Sequence, residues 1–268
     1  MQATLVSFYR KKRDSRLVRF LDECQDLVAD QFHGRFRKYA MDQIHGTVVG
    51  LERTDAADGS FTNRNFHKFR NEDREMDFDG FLGFLRCAGP TPFQLQIGGF
   101  QDRDYPFTSR NQRPYWRSFS IQEKNVVVMG WPLRGRPLDH APSSDVERAQ
   151  ESRLYPATLD SVRSAAQRFN ILHAYHREPT ETDNDFFFRI GMVDEPETVK
   201  PTEKQALTRN MCDWLSARPP LVMDVQLCDL SIASYQSEEL SLDTTHEYSL
   251  TERVLTGDFM KTLYADRK

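Results

Sequence analysis

The order strand, helix, strand, helix, strand occurs twice in this chain. In the first occurrence Leu5–Tyr9 is extended, and Ser15 opens a helix to about Phe32 with Leu17, Leu21, Cys24 and Val28 one turn apart. Gly34 ends that helix, and Met41–Glu52 follows as a strand rich in Ile, Val and Leu. A short helix at Asp77–Arg86 and a strand at Phe93–Phe100 complete the set. Beyond a hairpin (Phe119–Ile121 with Asn125–Trp131), Thr158 starts a helix with Leu159, Val162, Ala166 and Phe169 on one side. Then come a strand at Asp185–Val193, a helix at Thr202–Ser216 and two strands, Leu221–Ser234 and Thr245–Leu255. A doubled order of this kind predicts two related halves of α+β type.

The remaining stretches fix the division of the chain. Residues 53–75 are polar and read as an exposed loop. Residues 134–156 carry prolines, glycines and charges without periodicity, and read as a connection. The expected organisation is a first lobe at 1–133, the connection at 134–156 and a second lobe at 157–268. At 268 residues the chain suits two lobes of about 130 residues. Its 12% aromatic content and 19 Phe exclude wholesale disorder. A net charge of −4 excludes a surface basic throughout, though not a local basic patch. No apolar run approaches the roughly 18 residues of a membrane span, so no membrane partner is expected. The N-terminus lacks the order of a signal peptide, and the four cysteines are far apart with no CxxC. Buried free thiols and a reducing, cytoplasmic setting are the expectation.

The chemistry concentrates in Ile44-His45-Gly46-Thr47-Val48-Val49-Gly50-Leu51. On a regular strand His45 and Thr47 share a face with Val49 and Leu51. An imidazole beside a hydroxyl can move a proton while the hydroxyl donates to a phosphoryl oxygen. Spacing alone fits better a histidine hydrogen-bonded within the fold. Together with Pro92–Phe100, Val126–Pro132, the helix from Thr158, the strand at Val222–Leu230 and Glu247–Leu250, the string resembles the 2H phosphoesterase superfamily. That superfamily includes cyclic phosphodiesterases and bacterial RNA-ligase-like proteins.

The resemblance implies two pseudo-symmetric lobes, each an antiparallel sheet with flanking helices, around a central cleft. Each lobe of the family supplies one HxT or HxS strand. One histidine deprotonates the nucleophile, the other protonates the leaving oxygen, and no metal or other cofactor is needed. His45 and Thr47 match the first motif. The second should lie on Asp185–Val193, which contains no histidine. Setting Gly191 against Gly50 puts Phe186 opposite His45 and Phe188 opposite Thr47, and a slip of one residue would swap the faces. His173 and His176 are the candidates for a second acid or base, although a polar helix end is the simpler reading of that pair. In the Arg/aromatic stretch 102–117, Arg113, Arg117 and Tyr115 are candidates for contact with bases and phosphates. The expected ligand is a nucleotide or an RNA-like phosphodiester, with ordinary two-histidine turnover weak or absent. The alternative is a non-catalytic nucleotide-binding or protein-interaction module in which Phe186 and Phe188 wall or fill the cleft.

Overall fold

The computed structural model describes residues 1–268 except 12, 55–58, 139, 179, 253 and 265–268. Lys12, Asp58 of the 53–75 segment and Asp139 of the connection therefore lie outside the described residues. In chain order the elements are β1 (Gln2–Ser7), α1 (Ser15–Phe32), β2 (Phe36–Lys38), β3 (Gly46–Gly50), α2 (Arg64–Arg70), α3 (Phe78–Cys87) and β4 (Phe93–Ile97). Next come α4 (Pro114–Arg117), β5 (Phe119–Gln122), β6 (Asn125–Leu133), α5 (Asp145–Leu154), α6 (Thr158–Ala166) and β7 (Phe186–Val193). The chain finishes with α7 (Pro201–Ala217), β8 (Leu221–Val225), β9 (Leu230–Tyr235), β10 (His246–Ser249) and α8 (Gly257–Thr262). None of these helices is long and apolar enough to cross a membrane.

The fold is α+β, built on one ten-stranded sheet in which every pairing is antiparallel. Its order is β10-β9-β1-β3-β7-β6-β4-β8, with β2 added to β7 and β5 to β6. The strands of segments 1–133 and 157–268 are interleaved: β4 and β6 join β7 and β8, while β9 and β10 return to β1. The expected single strand at Leu221–Ser234 is two strands, broken by a 3-10 turn at Leu227–Asp229 and placed near opposite edges. Six strand spacings would separate β8 from β9 by roughly 29 Å in a flat sheet. The chain from Val225 to Leu230 reaches at most about 18 Å, so the sheet must curl to bring its edges together.

Among the described residues four helices fall where no element is expected, including α4 in the 102–117 stretch and α8 beyond Leu255. α2 sits in the 53–75 segment, capped by the Asn63 side chain, and α5 sits in the 134–156 connection behind a Ser144/Glu147 capping box. α5 buries only Glu151, so it has no apolar stripe to read. Of the four free cysteines, Cys24 and Cys212 are buried, while Cys87 and Cys228 are exposed, contrary to the uniform burial expected.

The centre of the sheet carries an internal twofold. β3 and β7 pair at Gly46↔Phe188. Against β1, the register of β3 runs Leu5↔Val49 and then Val6↔Thr47, which leaves Val48 as an extra residue. Against β6, β7 runs Val126↔Gly191 and then Val127↔Arg189, which leaves Ile190 extra. Both bulges lie two residues past the shared pair. An axis through that pair carries His45 onto Phe187, Thr47 onto Arg189 and Val48 onto Ile190. The carbonyl of each bulge residue is buried and answered from a helix: Arg163 Nε on α6 donates to Val48 O at 2.9 Å, and Gln25 Nε2 on α1 donates to Ile190 O at 2.7 Å.

The bulges decide which side chains meet the cleft. Past Val48 the alternation flips, so Val49 and Leu51 are buried in the core and not on the face of His45 and Thr47. On β7, Phe186 and Phe188 are fully buried and pack on each other and on Phe8. The expected placement of Phe186 and Phe188 on the cleft is therefore corrected by one residue, to Phe187 and Arg189. Gly46 needs its missing side chain here, because a Cβ would overlap the Phe186 ring. That ring is locked by its aromatic neighbours. Gly46→Ala is expected to lower stability by about 1–3 kcal/mol by overpacking, read as a drop in the urea midpoint. An unchanged midpoint would show that Phe186 has room to move.

Candidate functional site

On the side of the sheet away from Phe186 and Phe188 lies a cavity of about 320 Å³, lined by His45, Thr47, His173, Tyr175, Phe187 and Arg189 among others. Around the Gly46↔Phe188 pair, the antiparallel register sets His45 across from Arg189 and Thr47 across from Phe187. Below Thr47 the strands diverge, and the fully buried Arg163 fills the fork. It donates to Thr47 O at 3.1 Å and Val48 O at 2.9 Å on β3, and to Asp183 O at 2.9 Å and Asp185 O at 3.0 Å in the segment that leads into β7. The site geometry thus rests on a side chain that lies outside it.

His45 Nδ1 is 2.7 Å from the Gln43 carbonyl, which can only accept, so Nδ1 carries the proton. Nε2 is then a bare acceptor, without a protein partner among the described residues. Burial pushes the imidazole down to about 4, with Arg189 and Arg13 adding to the effect against the Gln43 hydrogen bond. His45 is neutral at physiological pH. The turn that presents it is held by Arg13, which donates to the carbonyls of Phe8, Met41 and Ile44. Arg189 donates through Nη1 to Glu238 O at 2.7 Å, lies against the Tyr39 hydroxyl and lines the cavity.

At the Gly50 end, Glu52 accepts from Tyr235 Oη at 2.9 Å and lies 3.9 Å from Arg64, with burial raising its pKa. His173 belongs to the wall, but both its nitrogens are turned into the protein. The Gly50 N–H meets Nδ1 at 3.5 Å, and Nε2 lies 3.4 Å from Asp183 Oδ2. His176 does not line the cavity; its Nε2 sits 3.1 Å from Asp160. Among the described residues no group of three or more His, Cys, Asp or Glu side chains is placed to hold a metal ion.

The residues expected from the Arg/aromatic stretch go elsewhere. Arg117 is buried, donates to Ser109 Oγ at 3.2 Å and lies 3.5 Å from Asp185, which also accepts from Trp131 Nε1 at 2.8 Å. Tyr115 is buried and donates to Asp213 at 2.5 Å. Arg113 bridges Asp102 and Asp104 at 3.1 and 2.9 Å and lines a separate groove. Each is occupied by a carboxylate of the fold, and none reaches the His45 cavity. The groups missed from sequence are Phe187, Arg189 and Tyr175. The first two are one residue from the expected pair, so their signal was the register itself.

No family model matches the chain, and no curated protein matches it in sequence. Among solved structures the chain is similar to the crystal structure of TT0787 of Thermus thermophilus, at 11% identity, with 93% of this chain and 98% of that chain covered. The TM-score of 0.37 is too low for the likeness to carry a functional inference.

Proposed function

We propose that the His45 cavity binds a phosphate- or phosphodiester-bearing ligand of the nucleotide or RNA-end type, and that it does so without ordinary two-histidine catalysis. The observation that carries this reading is the convergence of His45, Thr47 and Arg189 around one strand pair. Phosphoryl oxygens accept from a guanidinium and a hydroxyl, and a ligand hydroxyl can donate to the bare Nε2 of His45. Phe187 and Tyr175 offer an apolar wall to a sugar or base. At about 320 Å³ the cavity is at the small end of ligand sites, which run from about 300 to 1,000 Å³. An open cavity also speaks against a cleft filled by Phe186 and Phe188.

His45 can take a proton, but a phosphodiester cleavage also needs one delivered to the leaving oxygen. Arg189 does not give up its proton near neutral pH, His173 turns both nitrogens away, and Glu52 is held at the Gly50 end, where it accepts from Tyr235 and faces Arg64. Lack of one positioned acid or base costs about 10²–10⁴-fold. Turnover of a 2′,3′-cyclic nucleotide is therefore expected to be slow and little changed by His45→Ala. Calorimetry against cyclic and linear nucleotides at low salt should detect binding, weakened at least about tenfold in Arg189→Ala. No binding by the wild type, or binding indifferent to Arg189, would sink the ligand reading. A robust rate lost in His45→Ala would sink the catalytic half of it.

A further inference from the structure

The His45 cavity has two neighbours in a row. Tyr175 also lines a polar hollow of about 490 Å³ that contains Arg110 and Arg177. Asn111 in turn lines both that hollow and a groove of about 710 Å³ that is also lined by Trp116, Lys204 and Arg209. The hinge between the two is a tight turn, in which Ser109 and Gln112 exchange N–H···O bonds of 2.9 Å and Arg110 and Asn111 form the tip. Both tip residues are left-handed, at φ 47° and 61°. Asn tolerates that region, whereas an arginine is held there against its preference. The turn brings the Arg110 guanidinium 3.9 Å from the Tyr175 ring centroid and 5.6 Å from that of Phe187.

We propose that these three spaces form one track for single-stranded nucleic acid, with a strand end in the His45 cavity and the body of the strand on the Trp116 groove. Trp116 is 39% exposed, the large aromatic most open to solvent among the described residues. Stacking on an aromatic face beside cations is how proteins hold single strands. Among the described residues no carboxylate lines the groove itself and Lys204 and Arg209 form no ion pair, whereas Arg113 is held by Asp102 and Asp104, in a chain whose net charge is −4. The carboxylates of the middle hollow have other partners: Asp183 is 3.0 Å from Arg163, and Glu181 accepts from the Glu178 N–H at 3.0 Å. Carboxamides of Asn111, Gln112 and Gln205 on the groove suit base edges. An acidic peptide would use the cations and leave the aromatic faces and carboxamides without a role.

The placement of the strand end rests on the proposed reading of the His45 cavity; the groove stands on its own observations. The test is fluorescence anisotropy with a labelled single-stranded RNA of about 12 nucleotides, alongside calorimetry with a mononucleotide. The double variant Lys204→Glu/Arg209→Glu and the single variant Trp116→Ala touch side chains at the surface, and thermal melts check that both stay folded. Each is expected to weaken strand binding at least about tenfold, with a smaller salt slope for the double variant and mononucleotide binding unchanged. Strand binding that neither variant alters, or that polyglutamate displaces as well as RNA does, overturns the track. If the strand binds in a groove-dependent way while the mononucleotide does not bind, the groove stands and the cavity reading fails. If the mononucleotide binds and the strand binds no more tightly, the cavity stands and the track fails.

Discussion

Arg163→Met is expected to unfold the protein at ambient temperature or to remove at least about 3–5 kcal/mol of stability. The side chain is fully buried and supplies four hydrogen bonds to backbone carbonyls of β3 and of the segment leading into β7, with Asp183 at 3.0 Å as its counter-ion. Methionine fills similar volume but donates nothing. Four carbonyls and one carboxylate would be left buried, each at a cost well above that of losing an exposed pair. The same loss would free His173 from a repulsive neighbour, since Arg163 lowers its pKa. Protonated His173 could then partly answer Asp183, so the variant should be least damaged at mildly acidic pH. Urea denaturation checks both claims. A variant within about 1 kcal/mol of wild type at neutral pH would mean that the fork between β3 and β7 is held by packing alone.

The same two strands explain what could be read in the sequence. α1 begins and ends where its stripe of Leu17, Leu21, Cys24 and Val28 and its flanking residues place it, because burial and capping there are local. His45 and Thr47 were legible for the same reason. The second half of the site was not. Reading faces by alternation assumes a regular strand, and Val48 and Ile190 are bulged by Arg163 and Gln25, which are far away in sequence. β-branched residues at those positions carry no bulge signal. The break between β8 and β9 was hidden because Gln226–Asp229 contains neither Gly nor Pro, and only the curl of the sheet demands it. Arg113, Arg117 and Tyr115 misled because an arginine or tyrosine reads alike whether it faces a phosphate or a buried aspartate.

Lowering the pH from about 7 to about 4 should destabilise the protein through its buried histidines. Burial lowers both His45 and His173 from 6.5 to about 4. Above 6.5 both are neutral in folded and unfolded chains, and the stability is fully present. Below it the unfolded chain takes up protons that the folded state refuses, so stability falls as pH drops through the interval toward 4. Each histidine can remove up to about 3 kcal/mol over that interval. Asp183, whose pKa is held below the usual carboxylate range by Arg163, works in a lower window and cannot supply this slope. Urea midpoints across the interval should therefore decline steeply in the wild type and less steeply in His45→Gln. A flat wild-type profile from about pH 7 to pH 5 would mean that water reaches His45 freely. The profile also bears on the site: a phosphate seated beside Arg189 favours the protonated imidazole, so saturating ligand should raise the pKa of His45 toward its unfolded value and make the decline shallower.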